Sequence, residues 1–137
     1  MGSDAEVKLL LDTHIWLWSL LQPDALSPRV AEVLEHEATG LWLSPISIWE
    51  ALMSIERGRV EVDDQPSSWV RRAIAAVPMK EASLNFEVAF ESRFLRMSHA
   101  DPADRFLVAT AKVYELTLVT ANREVLKVKE VPLLPNR

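Results

Sequence analysis

The chain has 137 residues, 49% of them hydrophobic and 26% charged, which fits one domain with a sizeable core and argues against two. Its 20 acidic against 15 basic residues give a net charge of −5, which excludes a general polyelectrolyte grip on nucleic acid, so an RNA partner would need a local basic patch. Cysteine is absent, which excludes disulfides and thiolate metal sites and suits a reducing compartment.

Val7 to Leu11 reads as a short strand buried on both faces and ending at an acid, Asp12. Ile15 to Leu21 reads as a helix stopped by Pro23, and it is far too short to span a bilayer. The leading MGSDAEVK lacks the basic region and apolar core of a signal peptide, so the expected chain is soluble, cytoplasmic and without a membrane partner. Ser27-Pro28 opens a second helix expected to run to about Thr39 and to close at Gly40, followed by a strand at Leu41 to Leu43.

Ser44-Pro45 turns into a helix from Ile46 to Arg57, ended by Gly58, with Glu50 as the only acid in its first ten residues. Val60 to Gln65 is irregular, Pro66 starts a helix through Ala76, and a brief strand is expected at Val77 to Lys80. Ser83 is the expected cap of a helix from Leu84 to Met97, whose apolar side is assigned to Phe86, Val88, Ala89, Phe90, Phe94 and Leu95.

The segment HADPADRFLVATA, His99 to Ala111, then places Asp101 at a helix N-cap, Pro102 at the first helical position and Asp104 in the first turn. Taken alone, that pair of acids fits capping as well as it fits chemistry. TLVT, Thr117 to Thr120, is another buried-type strand followed by Asn122, and Val131 to Leu134 is a candidate edge strand. Strands alternate with helices without repeat or linker. That pattern predicts a single α/β domain over 1–137, with a mostly parallel sheet covered by helices on both faces.

In such a sheet, strand C-termini and helix N-termini share one rim. Asp12, Glu50, Asp101, Asp104 and Asn122 all fall on it. Carboxylates about 5 Å apart repel by roughly 3 kcal/mol per pair at an effective dielectric near 20, so gathering them calls for a cation. Oxygen ligands suit Mg²⁺ or Mn²⁺, and the combination suits metal-assisted phosphodiester hydrolysis. Arg105, Arg93 and Arg96 are candidate RNA contacts, each equally readable as a scattered surface arginine. His14 and His99 adjoin the acids, but imidazole is a less natural ligand for Mg²⁺.

Four stretches in this order, LLLDTHIWLW from Leu9, LSPISIWEAL from Leu43, HADPADRFLVATA from His99 and LTLVTAN from Leu116, resemble the PIN domain, specifically the VapC-type ribonuclease toxins of toxin–antitoxin pairs. The resemblance implies a three-layer α/β/α sandwich around a five-stranded parallel sheet. It implies Mg²⁺ or Mn²⁺ dependence and endonucleolytic cleavage of structured RNA such as tRNA or rRNA. By motif position, Asp12, Glu50 and Asp104 become the catalytic metal-binding acids, Asp101 an auxiliary acid or cap, and Thr13 and Thr120 polar supports.

The resemblance further implies a homodimer inhibited by a cognate VapB-type antitoxin whose C-terminal segment covers the acidic site. Where the family usually has Asp, this chain has Asn122, whose amide oxygen is expected to hydrogen-bond a metal-bound water while one negative charge is lost. Weaker metal binding and a single well-occupied ion follow from that. Three other readings stand beside the nuclease. They are a PIN-type scaffold that binds RNA or a partner without cutting, a receiver-like signalling module, and an Asp-nucleophile phosphatase, for which His14 stands where a second Asp is wanted.

Overall fold

The computed structural model describes residues 7–36, 39–97 and 101–137; His99 lies outside the described residues. Five strands form one sheet: β1 (Val7–Leu11), β2 (Thr39–Leu43), β3 (Lys80–Glu81), β4 (Thr117–Thr120) and β5 (Leu133–Pro135). Their order is β3-β2-β1-β4-β5, and every neighbouring pair runs parallel. The helices are α1 (Thr13–Leu21), α2 (Pro28–Glu35), α3 (Pro45–Glu56), α4 (Pro66–Ala76), α5 (Phe86–Phe94) and α6 (Pro102–Tyr114).

β1 is the central strand, hydrogen-bonded on both edges, and its consecutive leucines point alternately to the two faces. Leu9 and Leu11 pack with Ile15, Trp16, Val30, Ala51 and Val70 from α1 to α4, whereas Leu10 packs with Val88, Leu107, Val108 and Leu118 on the side of α5 and α6. The result is the expected three-layer sandwich. Each of these fully buried leucines contributes about 2 kcal/mol from area removed from water.

From β1 the chain steps one way to β2 and β3, then crosses back to β4 on the other side of β1. The direction of winding therefore reverses between β1 and β4, and a crevice outside the carboxyl ends of those two strands is where an open α/β sheet binds ligands. Asp12 follows β1 and Asn122 follows β4 at that place.

Several boundaries differ from the sequence reading, each because of a tertiary partner. α1 starts at Thr13 rather than Ile15, since the Asp12 carboxylate accepts from the Thr13 N–H and caps the helix. α2 ends at Glu35, well short of Thr39, because Thr39 and Gly40 pair with Val7 and Lys8 of β1 and belong to β2. β3 sits at Lys80–Glu81 opposite Trp42 and Leu43 rather than at Val77, and Pro78 has no N–H to give a ladder. β5 begins at Leu133 rather than Val131, with the Pro132 carbonyl accepting from Leu118 N–H.

The largest departure is α5. Its cap is Asn85, whose Oδ1 accepts from Val88 N–H at 2.9 Å, not Ser83, and the helix ends at Phe94 rather than Met97. Val88, Ser92 and Leu95, at helical spacing, face the core. Phe86, Phe90 and Phe94 form a second stripe one turn apart and lie 86%, 62% and 73% exposed, so they are not the core residues the sequence suggested.

Candidate active site

Asp12 is the last residue that β1 ties to β4: its N–H donates to the Val119 carbonyl at 3.0 Å. Its side chain is 8% exposed and held at both oxygens, Oδ1 by the Thr13 N–H at 2.7 Å and Oδ2 by the Thr120 hydroxyl at 2.6 Å. Burial pushes this carboxyl above the usual aspartate range. The Thr120 and Thr13 hydrogen bonds and the charge of His14 oppose the rise, and the charge of Asp101 adds to it.

Glu50 faces the same space from the second turn of α3, and its Oε1 accepts from the Thr13 hydroxyl at 2.5 Å. Its carboxyl is also raised, first by burial and then, against the Thr13 bond, by the charges of Asp12, Asp104 and Asp101. Asp104 lies in the first turn of α6 and is 7% exposed; the Asn122 Nδ2 points at its Oδ2 across 3.4 Å, a long and weak bond. Asp101 caps α6 through the Ala103 N–H at 2.9 Å and also lines the cleft, so its two sequence readings coexist.

The cleft has a volume of about 380 Å³ and is lined by Asp12, His14, Trp18, Glu50, Asp101, Asp104, Ala121 and Asn122. Neither lysine nor arginine is among them. Among the described residues, no three acidic or imidazole side chains stand close enough to grip one ion directly. The four acids offer hard oxygens around a space with room for water. That arrangement fits a hydrated Mg²⁺ or Mn²⁺, which commonly keeps several waters and takes only one or two carboxylates directly.

Asn122 departs from its expected role. Its Oδ1 accepts from the N–H groups of Glu124 and Val125 at 2.9 and 3.2 Å, bracing the turn that leads into the 3-10 helix at Val125–Lys127, so the amide oxygen is engaged by the backbone. Those two donors fix which end of the amide is oxygen, and its NH₂ faces Asp104. Asn122→Asp replaces that donor with a carboxylate beside a buried acid. In thermal melts the expected result is a midpoint lowered in EDTA, for a loss of roughly 1–3 kcal/mol, and a larger gain on adding Mn²⁺ than the unaltered chain shows.

The candidate RNA contacts fall elsewhere. The Arg105 guanidinium donates to the carbonyls of Ser92, Met97 and Leu95 at 2.9, 3.2 and 3.2 Å, which gives it a structural role tying the end of α5 to α6. Arg93 lies along the phenylalanine stripe and Arg96 is exposed beyond α5; neither lines the cleft.

Two residues escaped the sequence reading. Ser47 is fully buried, with its Oγ 2.9 Å from the Thr13 hydroxyl; Thr13 has one proton, which goes to the acceptor-only carboxylate of Glu50, so Ser47 donates to Thr13. The available signal was its place three residues before Glu50 on one helix face. Arg59, in the loop after α3, lines a cavity that adjoins the acidic cleft.

Comparison with known proteins identifies the family and the fold. The sequence model of the PIN domain matches residues 9–131. Ribonuclease VapC22 of Mycobacterium tuberculosis is 31% identical over 121 residues, covering 84% of this chain and 87% of that protein. Among solved structures, VapBC2 from Rickettsia felis bound to a DNA fragment from its promoter superposes with a TM-score of 0.71 at 16% identity, over 94% of this chain and 98% of that one. DNA-bound VapBC from Salmonella typhimurium gives 0.70 at 16% identity, over 94% and 98%. FitAcB from Neisseria gonorrhoeae gives 0.65 at 19%, over 93% and 97%. At these identities the structures speak for the fold.

Proposed function

The chain belongs to the PIN domain family, and from that premise we propose that it is a metal-dependent endoribonuclease acting as the toxin of a toxin–antitoxin pair. The observation that carries the proposal is the meeting of Asp12, Glu50 and Asp104, distant in sequence, in one cleft at the point where the sheet reverses its winding. Support comes from the relative named as a ribonuclease and from the VapBC complexes that share the fold.

In this reading residues 1–137 form one cytoplasmic PIN-like domain; no helix among the described residues is long and apolar enough to cross a membrane. A bound Mg²⁺ or Mn²⁺ would neutralise charge on the scissile phosphate and lower the pKa of the attacking water. Asp12, Glu50 and Asp104 would hold the ion, one or two of them directly and the rest through its waters. The Thr120 hydroxyl and Thr13 N–H fix Asp12, and the Thr13 hydroxyl fixes one oxygen of Glu50. With neither lysine nor arginine among the described residues that line the cleft and four acids there, its side chains alone repel a phosphodiester, which makes cleavage conditional on the divalent ion.

The substrate is structured RNA of the tRNA or rRNA kind, and the partner is a VapB-type antitoxin whose C-terminal segment covers the acids. The test is incubation of the purified chain with total RNA and Mg²⁺ or Mn²⁺. Discrete cleavage that stops in EDTA and in Asp104→Asn supports the proposal; cleavage that persists in both defeats it. Growth arrest on expression, relieved by the protein encoded beside it, tests the pairing.

Self-association belongs to the same reading. The three exposed phenyl rings of α5 form an apolar ridge that a monomer leaves in water, and a second copy is the occupant proposed for it. Phe90→Asp is expected to convert a dimer to a monomer in light scattering behind size exclusion. A dimer unaffected by the charge would place the interface elsewhere.

A PIN scaffold that binds RNA without cutting is the second reading, favoured by the neutral amide of Asn122 and by the spacing of the acids; divalent-ion binding without cleavage would select it. The receiver-like alternative fails on topology, since receivers order their strands 2-1-3-4-5 and this sheet runs β3-β2-β1-β4-β5.

A further inference from the structure

A second cavity, of about 390 Å³, opens between α1, α3 and the loop after α3, and it shares His14, Trp18 and Glu50 with the acidic cleft. The two are therefore parts of one depression. We infer that this cavity is a subsite for one unpaired nucleobase of the RNA strand, seated beside the phosphodiester held at the carboxylates; the inference rests on the nuclease reading.

The walls carry the argument. His14 and Trp18 are one turn apart on α1, with ring centroids 5.7 Å apart and planes tilted by 47°, and Leu17 and Met53 complete an apolar surface. Aromatic faces of this kind accept a base by stacking with little regard to its identity. At the rim, the side chains of Gln22, Ser54 and Arg59 line the cavity, and none makes a hydrogen bond or ion pair with another described residue. Three unengaged polar groups at the edge of an apolar slot suit the hydrogen-bonding edge of a flat heterocycle.

Local folding places Arg59 there. Gly58 takes φ +74°, the left-handed turn that reverses the chain after α3, and the N–H groups of Arg59 and Val60 then donate to the Ser54 carbonyl at 2.9 and 3.3 Å. The loop is thereby folded back along the helix. Charge chooses the ligand: Glu50 and Glu61 outnumber Arg59 in the lining, which disfavours a phosphate and leaves an uncharged ring as the better occupant.

The test uses the ¹⁵N-labelled full chain with Mg²⁺ and the four nucleoside 5′-monophosphates as probes, followed by NMR, with the Trp18 indole resonance identified through Trp18→Phe. The expected result is saturable shifts at the Trp18 indole and the Arg59 side chain. Arg59→Ala and Trp18→Leu should weaken binding about tenfold, while Trp18→Phe retains it because a ring remains. With RNA, Arg59→Ala and Trp18→Leu should raise KM by more than they lower kcat and alter the base preferred beside the cut. Arg59 is exposed, so its variant keeps the test independent of any folding defect at Trp18.

Shifts confined to the acidic cleft, or unchanged KM and base preference in both variants, would overturn the subsite. So would displacement of Trp18 signals by the antitoxin's peptide alone with none by mononucleotides, which would make the cavity a protein-binding slot. Absence of RNA cleavage by the unaltered chain would strike the nuclease reading instead, and the mononucleotide shifts would still decide the subsite.

Discussion

Asp12→Asn is expected to lower RNA cleavage by well over about a hundredfold, since even outer-sphere partners of a metal site typically account for 10–100-fold, and yet to raise the melting temperature of the metal-free protein. Both outcomes have one origin. The carboxyl is buried with other acids nearby, and its folded-state pKa is raised above the ordinary 3.8. A raised acid binds its proton more tightly when folded, so its contribution is most favourable below the unfolded value and is lost as pH climbs from there through the raised folded value.

Glu50, raised above its ordinary 4.5, acts in the same direction. Stability of the metal-free chain from these two groups therefore declines with rising pH above about 4, opposite to the usual behaviour of salt-bridged carboxylates. Thermal melts in EDTA at about pH 5 and about pH 8 should show the decline in the unaltered chain and a flatter profile in Asp12→Asn. Mn²⁺ should raise the midpoint of the former far more than the latter. A variant that is less stable than its parent in EDTA at the higher pH would contradict the account of a carboxylate held charged at a cost.

Arg105→Ala should be strongly destabilising, by about 3 kcal/mol, because hydrogen bonds from a charged donor are worth roughly 1.5–3 kcal/mol each and three carbonyls near the end of α5 lose theirs together. Arg105→Lys should recover little, as one ammonium on a flexible stem does not reproduce a planar fork that spans three acceptors. Urea unfolding measures the loss. Cleavage per folded molecule should keep its KM and its salt dependence. A phosphate contact would behave in the opposite way, with stability untouched and binding weakened in a salt-dependent manner.

What could be read along the chain was whatever a short stretch decides for itself. The runs at Val7–Leu11 and Thr117–Thr120 read as strands, buried from Leu9 and from Leu118 onward while Val7 and Lys8 are exposed, and Ser27-Pro28, Ser44-Pro45 and Asp101-Pro102 announce helix starts by capping chemistry alone. The convergence of acids followed from the rule that parallel strands share a rim, without any contact being visible. What escaped depended on a distant partner. Thr39 and Gly40 belong to a strand because Val7 and Lys8 lie opposite. Arg105 is turned inward because three carbonyls await it, a fact no spacing in DPADR reveals.

The phenylalanines of α5 were misplaced for another reason. Hydrophobicity gave them to the core, whereas the helical phase puts Val88, Ser92 and Leu95 there and the rings on the opposite stripe. Polar identity likewise hid Ser47, a buried hydroxyl whose role is set by where Thr13 needs its proton sent. Asn122 could be recognised as a lost charge, but only the fold shows that its oxygen braces a turn and its nitrogen faces Asp104.

The most direct measurement is a crystal of the chain grown with Mn²⁺, with data collected at the manganese edge to locate the metal by its anomalous signal. The expected map has a peak in the cleft between Asp12, Glu50 and Asp104, at about 2.0–2.2 Å from one or two of their oxygens with water completing the shell. A fully loaded crystal with its only peaks outside that cleft would contradict the account.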